Sequence, residues 1–116
     1  MFSFQNLEVF KKAFILNGKI YSFLKNNKEL PTYIKNQWYR ATLSIMINID
    51  EGSGKPTLKD GRNYFAISRC SGFERAAVVA FLHAQKEIFD EQMREFTLGY
   101  EEISRMLCAM IKKPEI

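Results

Sequence analysis

Apolar residues recur every three or four positions along most of this chain, and this spacing is typical of α-helices that pack on one side. The first such segment predicts a helix that ends before the Leu30-Pro31 step, because proline holds the preceding residue in extended backbone. The predicted apolar face of this helix comprises Leu7, Phe10, Phe14, Tyr21 and Leu24, widened by Val9, Ala13, Leu16, Ile20 and Phe23.

A second helix is predicted from Pro31-Thr32 to about Glu51, and it carries a single polar stripe in otherwise apolar surroundings. The stripe follows helical spacing and consists of Gln37, Arg40, Ser44, Asn48 and Glu51. Two interpretations remain open. Either the stripe is the only solvent-facing side of the helix, or it is a buried or intersubunit network, in which an unpaired group would cost about 1–3 kcal/mol.

The motif Gly52-Ser53-Gly54-Lys55-Pro56 predicts a tight connection between the second and third helices. Glycine adopts positive φ at little cost, so Gly52 and Gly54 are expected to end the second helix, and Pro56 prevents its immediate continuation. Thr57 is expected to cap the third helix, with Asp60 three residues later as a weak capping box.

The third helix is predicted from about Leu58 to about Phe89, and it carries a second polar stripe of Ser68, Ser71 and Glu74. Because the two stripes are alike, we expect Asn48 and Glu51 to meet Ser71 or Arg69. The complete predicted network comprises Arg40, Ser44, Asn48, Glu51, Ser71 and Glu74.

A fourth helix is predicted from Asp90, which is a plausible N-cap, to a point before Pro114. Four helices with short connections, no strand-like alternation and no repeat predict an all-α fold, the antiparallel up-down four-helix bundle, as one domain over residues 1–116. Aromatic residues are numerous for such a core. We therefore expect Phe89, Phe96, Tyr100 and part of segment 76–82 to be buried by another subunit.

The positive charge of the chain is concentrated in its first two-thirds. Residues 1–75 contain 12 basic and 6 acidic residues, whereas residues 76–116 contain 5 and 7. This distribution favours nucleic acid or another anionic partner, although a solvated surface with a modest excess of charge explains it equally well. No signal-peptide pattern follows Met1, and the longest apolar run is far below the roughly 20 residues that span a bilayer. We expect a cytoplasmic protein without a membrane partner.

Residues suited to catalysis or metal binding are scarce. His83 is the only histidine, and it lies among apolar residues, which favours a structural role. A di-iron bundle needs two Glu-x-x-His motifs, and neither is present. Cys70 and Cys108 lack zinc-site spacing and are expected to be buried thiols. Gly52-Ser53-Gly54-Lys55 lacks the full phosphate-loop spacing. We therefore predict no enzymatic activity, no cofactor and no metal.

Several groups of residues match the motifs of one known family. In the first helix and its connection these are Phe4, Leu7, Val9-Phe10, Lys12-Ala13, Ile20-Tyr21 and Pro31. In the second and third helices they are Gln37, Arg40-Ala41, Ser44-Ile45, Asn48-Ile49-Asp50-Glu51-Gly52, Ile67-Ser68-Arg69-Cys70-Ser71 and Glu74. With these motifs the chain resembles the four-helix-bundle proteins encoded by intervening sequences within bacterial 23S ribosomal RNA genes.

The chain departs from the family pattern at six positions, with Phe10 for tryptophan, Tyr39 and Lys55 for arginine, Asp50 and Ser68 for alanine, and Cys70 for glycine. The resemblance implies a ring-like homo-oligomer of five subunits. It also relates the chain to the accessory proteins of diversity-generating retroelements, which form pentamers and engage nucleic acid and a reverse transcriptase.

Two functions are consistent with these observations. The first is RNA or other nucleic-acid binding through a cluster of Lys55, Lys59, Arg62 and Arg69, which ring assembly would repeat. The alternative is that these four cations are solvated surface charges with no binding role. The second function is a protein-binding scaffold, for which the acidic residues of the fourth helix matter as much as the basic half; they are Glu91, Glu95, Glu101 and Glu102.

Overall fold

The computed structural model describes residues 7–114 and confirms the antiparallel up-down four-helix bundle. The helices are α1 (Glu8–Asn26), α2 (Thr32–Ser53), α3 (Leu58–Ala84) and α4 (Asp90–Lys112). Each helix packs against the next, and α4 returns against α1, which closes the bundle. The molecule is elongated, with extents of 49 × 25 × 20 Å. Phe4, one of the family-motif residues, lies outside the described part of the chain.

The helix ends agree with the sequence at the start of α3 and differ at the end of α3 and at the start of α4. The Thr57 hydroxyl accepts a hydrogen bond from the Asp60 amide at 3.1 Å, which confirms the predicted cap. α3 ends at Ala84 rather than near Phe89, because Lys86 adopts a left-handed backbone with φ of 63°. Asp90 was predicted as the N-cap of α4, and this is wrong. The cap position is Phe89, and the Asp90 carboxylate contacts the His83 ring instead.

The buried face of α1 lies to one side of the predicted one. Ala13, Ile20 and Leu24 are fully buried, whereas Phe14 and Tyr21 are about 60% exposed, so their assignment to the core is wrong. Asn17 points toward α2, where its side-chain amide donates to the Thr42 carbonyl at 3.0 Å. Phe14 and Tyr21 lie three positions before and four positions after Asn17 on the same side of α1, so they flank this contact at the edge of the bundle instead of entering the core.

Trp38 and Tyr100 form the centre of the core. The Trp38 indole N–H donates to the Tyr100 hydroxyl at 2.9 Å, and the Phe96 ring meets the indole edge-on at 5.9 Å between centroids. Phe96 and Tyr100 are therefore buried inside one chain, which corrects the expectation that another subunit covers them. Phe89, from the same expectation, is 80% exposed.

Gly52 and Gly61 allow α2 and α3 to approach closely at one end of the bundle. A Cβ atom on Gly61 would collide with the Gly52 carbonyl oxygen, and a Cβ atom on Gly52 would lie 2.6 Å from the Phe65 ring. No glycine in residues 7–114 has a positive φ, and φ of Gly54 is −83°. The expectation that Gly52 and Gly54 end the helix through positive φ is therefore wrong. Gly52 is needed because any side chain at this position would collide with the Phe65 ring.

Substitution of Gly61 by alanine should destabilise the protein. The new methyl group would meet backbone, which cannot rotate away, so the two helices must separate at a cost of about 1–3 kcal/mol. Gly18→Ala is the matched control, because no heavy atom lies within 4 Å of its Cβ position. That exchange should stabilise α1 by about 0.5–1 kcal/mol. Thermal unfolding at one protein concentration measures both effects, and equal melting temperatures for the two variants would contradict this account of Gly61.

Substitution of Tyr100 by phenylalanine should leave the Trp38 N–H unpaired inside the core and lower the free energy of unfolding by about 1–3 kcal/mol, which urea denaturation at neutral pH measures.

Burial raises the pKa of Tyr100 from 10.0 to about 12. Between these values the unfolded chain releases the phenolic proton and the folded chain keeps it, so the free energy of unfolding should fall as the pH rises. Urea titrations just below pH 10 and near about pH 11 should show this fall in the native protein and a smaller one in Tyr100→Phe. Equal slopes would contradict the assignment to Tyr100.

Candidate nucleic-acid interface

Five basic residues converge at the end of the bundle where α2 meets α3 and α4 terminates. Lys55 lies in the α2–α3 connection, and Lys59 and Arg62 lie in the first turns of α3. The Arg62 guanidinium donates to the Lys113 carbonyl at 2.8 Å, which brings the C-terminus of α4 beside this cluster. We call the resulting set the basic end; its members are Lys55, Lys59, Arg62, Lys112 and Lys113.

Sequence reasoning missed Lys112 and Lys113 because they lie far from Lys55 along the chain. Only their favourable position at the negative end of a helix dipole could be read from the sequence. The antiparallel order of the helices was a usable signal, because it places the end of α4 level with the start of α3. Both lysines are exposed.

The side chains of the basic end are not equivalent. The Lys55 ammonium lies 3.8 Å from a Glu51 carboxylate oxygen and 4.8 Å from the centroid of the Tyr64 ring. Arg62 is half-buried, and its Nε atom is enclosed. Arg62 therefore ties α3 to α4. Lys59, Lys112 and Lys113 are exposed.

Carboxylates near the basic end reduce its net charge. Asp50, Glu51 and Asp60 lie within a few residues of the α2–α3 connection. Five cations against these three carboxylates leave two net positive charges per chain. A field of this size attracts an anion weakly, and salt screens it, because the Debye length is about 8 Å at physiological ionic strength.

Arg69, the fourth predicted cation, lies apart from the other three. It is seven residues beyond Arg62, which corresponds to about 10 Å along the helix axis. Its Nε atom donates to the Ser104 hydroxyl at 3.2 Å, and its guanidinium lies 4.7 Å from the centroid of the Phe73 ring. The structure therefore brings together Lys55, Lys59 and Arg62, and it places Arg69 in the contact between α3 and α4.

The polar stripes of α2 and α3 meet at their centres. The hydroxyl oxygens of Ser44 and Ser71 are 3.4 Å apart. The Asn48 side-chain amide donates to the Ser44 carbonyl at 2.8 Å and to its hydroxyl at 3.2 Å. These three side chains are half-buried. The other predicted network members, Arg40, Glu51 and Glu74, are exposed, and within one chain Glu51 pairs with Lys55 rather than with Ser71 or Arg69.

The end of the bundle opposite the basic end holds His83, the only histidine of the chain. Its Nε2 atom contacts the Asp90 carboxylate, and this hydrogen bond holds the pKa of Asp90 below its usual value. Residues 7–114 contain no group of three or more His, Cys, Asp or Glu side chains suited to a metal ion.

Cys70 is exposed and Cys108 is half-buried, so the expectation of two buried thiols is wrong. Among the described helices, none is both long and apolar enough to cross a bilayer.

Comparison with known proteins agrees with the fold and the motifs. The family model described as 23S rRNA-intervening sequence protein matches residues 5–109. A crystal structure of a protein of unknown function from the S23 ribosomal protein family of Bacteroides thetaiotaomicron superimposes with a TM-score of 0.80 and 24% sequence identity. That match covers 90% of this chain and 96% of the other. No curated protein matches the sequence. The family match spans most of the chain and confirms the resemblance read from its motifs, and the chain belongs to the 23S rRNA-intervening sequence protein family.

Proposed function

We propose that this protein is a non-enzymatic subunit of a homo-oligomer that binds RNA through its basic end. The observation that carries the proposal is the convergence of Lys55, Lys59 and Arg62 with the C-terminal lysines of α4. Two segments of the chain that lie far apart in sequence contribute cations to one end of the bundle, although the whole chain has a net charge of only +4.

The chemistry of these side chains suits the phosphate backbone rather than the bases. Lysine ammonium groups act as point charges toward phosphate oxygens and read no sequence. The Lys55 ammonium lies over one face of the Tyr64 ring at this end, so a base could not stack on that face. Binding should therefore be sensitive to salt and tolerant of sequence.

Assembly explains how a small excess of charge could bind RNA. Two net positive charges make a weak site, but several linked copies bind one long polyanion with far greater avidity than a single copy. The five-subunit ring implied by the family resemblance would present five such sites.

The proposal is tested by reversing charges at the two ends of the bundle. Lys59→Glu/Lys113→Glu changes the basic end, and Lys25→Glu/Lys28→Glu makes the same change of net charge at the far end of α1. With a labelled structured RNA and nuclease-treated protein, the first variant should bind at least about tenfold more weakly. The slope of log affinity against log salt should become shallower by about one per lost phosphate contact.

The far-end variant should keep most of its affinity. Equal losses in both variants would show that only the overall charge matters and would contradict a located interface. Unchanged binding in both variants would contradict the proposal and favour the protein scaffold. On α4 that scaffold would have a mixed surface, because Glu102 pairs with Lys12 at 3.1 Å and Arg94 and Arg105 interrupt the glutamates.

Arg69 should contribute to stability more than to RNA binding. Arg69→Ala removes the hydrogen bond to Ser104 and the contact with Phe73, and a loss of about 1–2 kcal/mol in the free energy of unfolding is expected. RNA affinity should change less than in Lys59→Glu/Lys113→Glu. If Arg69→Ala loses as much RNA affinity as that variant while its stability is unchanged, Arg69 contacts RNA and this prediction is contradicted.

A further inference from the structure

A pocket of about 200 Å³ lies between α1 and α2. Its walls are apolar and consist of Phe14, Tyr21, Leu43 and Met46. Gly18, which also lines it, follows the start of α1 by ten residues, or about 15 Å along the helix axis, so the pocket lies midway along the bundle and apart from the basic end. Every described residue that lines the pocket is uncharged, so its natural ligand is uncharged too.

Asn17 at the floor of this pocket carries an acceptor that lacks a donor. The residue is only 3% exposed, and its side-chain amide nitrogen donates to the Thr42 carbonyl at 3.0 Å. Because a carbonyl oxygen only accepts, this bond fixes the orientation of the Asn17 amide. The remaining atom, Oδ1, is enclosed and has no hydrogen-bond partner within residues 7–114. An unpaired buried acceptor is unfavourable, so a ligand that supplies a donor to this atom would be bound favourably.

Gly18 leaves the pocket open at a cost to α1. Glycine in the interior of a helix is less favourable than alanine. Packing within the chain does not require it, because no heavy atom lies within 4 Å of its Cβ position. Gly52 and Gly61, by contrast, are required by contacts that a Cβ atom would break. A larger side chain at position 18 would occupy the pocket, so a bound ligand accounts for a glycine that the fold itself does not need.

The walls of the pocket favour an aromatic ring. Phe14 and Tyr21 contribute rings, and Met46 contributes a polarisable thioether that packs well against aromatic edges. Phe14 and Tyr21 are 62% and 57% exposed, so their rings can move aside to admit a ligand without loss of core packing. A cavity of about 150 Å³ holds benzene, so this pocket accommodates a molecule of one ring or two fused rings.

We propose that this pocket binds a small uncharged aromatic molecule that carries one N–H or O–H donor, of the size of an indole or a phenol. The ring lies against Phe14, Tyr21 and Met46, and its donor bonds to Oδ1 of Asn17. The inference goes beyond RNA binding and does not depend on it, since the pocket is formed within one chain and shares no residue with the basic end.

Indole and N-methylindole test the hydrogen bond on the native protein. The two compounds share the same fused rings, but only indole has an N–H. Indole should bind with a Kd below about 1 mM. N-methylindole should bind at least about fivefold more weakly, because it leaves Oδ1 of Asn17 unpaired. Isothermal titration calorimetry measures both affinities. Absence of saturable indole binding, or equal affinity for the two compounds, would overturn the inference.

Substitution of Gly18 by leucine tests the location of the site. The new side chain fills the pocket, so the affinity for indole should fall at least about tenfold. Ser22→Leu is the matched control, because Ser22 is an exposed residue of α1 outside this pocket, and its affinity should be native. Leucine favours a helix more than glycine or serine does, and circular dichroism confirms that both variants are folded. Native affinity in Gly18→Leu, or equal losses in the two variants, would overturn the inference.

A second copy of the chain is the competing occupant of this pocket. Titration of indole at several protein concentrations separates the two occupants. A constant affinity supports the small-molecule site. If the affinity falls as the protein concentration rises, another copy covers Gly18 and its neighbours, and the inference is overturned.

Discussion

The close approach of α2 and α3 is the constraint on which the rest of the structure depends. Gly52 and Gly61 have no side chains that would hold the helices apart. Seven residues after Gly61, the Ser68 hydroxyl continues the close contact by donating to the Ile45 carbonyl. Since the helices touch at this end, the short connection from Gly54 to Thr57 can reverse the chain. The same contact places Phe65 against Gly52 and sets the register that brings Ser44 to Ser71.

This constraint has a consequence for the distribution of apolar surface. Small residues occupy part of the α2–α3 contact, so much of the large apolar volume of these helices is left on their outer sides. All four helices contribute to the core of the single chain, and at its centre the Trp38 indole is enclosed by Phe23, Phe96 and Tyr100. A bundle built in this way has a well-packed interior, and large apolar side chains stay exposed on α2 and α3 as well as on α1, where Phe14, Ile15 and Tyr21 lie at the surface.

The basic end follows from helix order rather than from local sequence. Lys55, Lys59 and Arg62 are close in the chain, but the cluster is completed by the end of α4, which Arg62 holds through the Lys113 carbonyl. The site therefore depends on the up-down topology, and nearby carboxylates limit it to a small net charge. A weak site of this kind gains avidity when several linked copies of it are presented together, which is why the proposed function includes a homo-oligomer.

The sequence by itself determined the helices, their antiparallel order and the family, because apolar spacing, the Thr57 cap and the motifs around Asn48 and Arg69 are local properties. The bounds of α2 and the start of α3 are also found where expected, and Lys55, Lys59 and Arg62 lie together at one end of the bundle. Tertiary structure alone decided which side of α1 is buried, that Phe96 and Tyr100 belong to the core of one chain, and that Arg69 contacts Ser104. It also decided that Lys112 and Lys113 join Arg62. These outcomes depend on distances between helices, which are set by side chains far apart in the chain and therefore leave no local pattern.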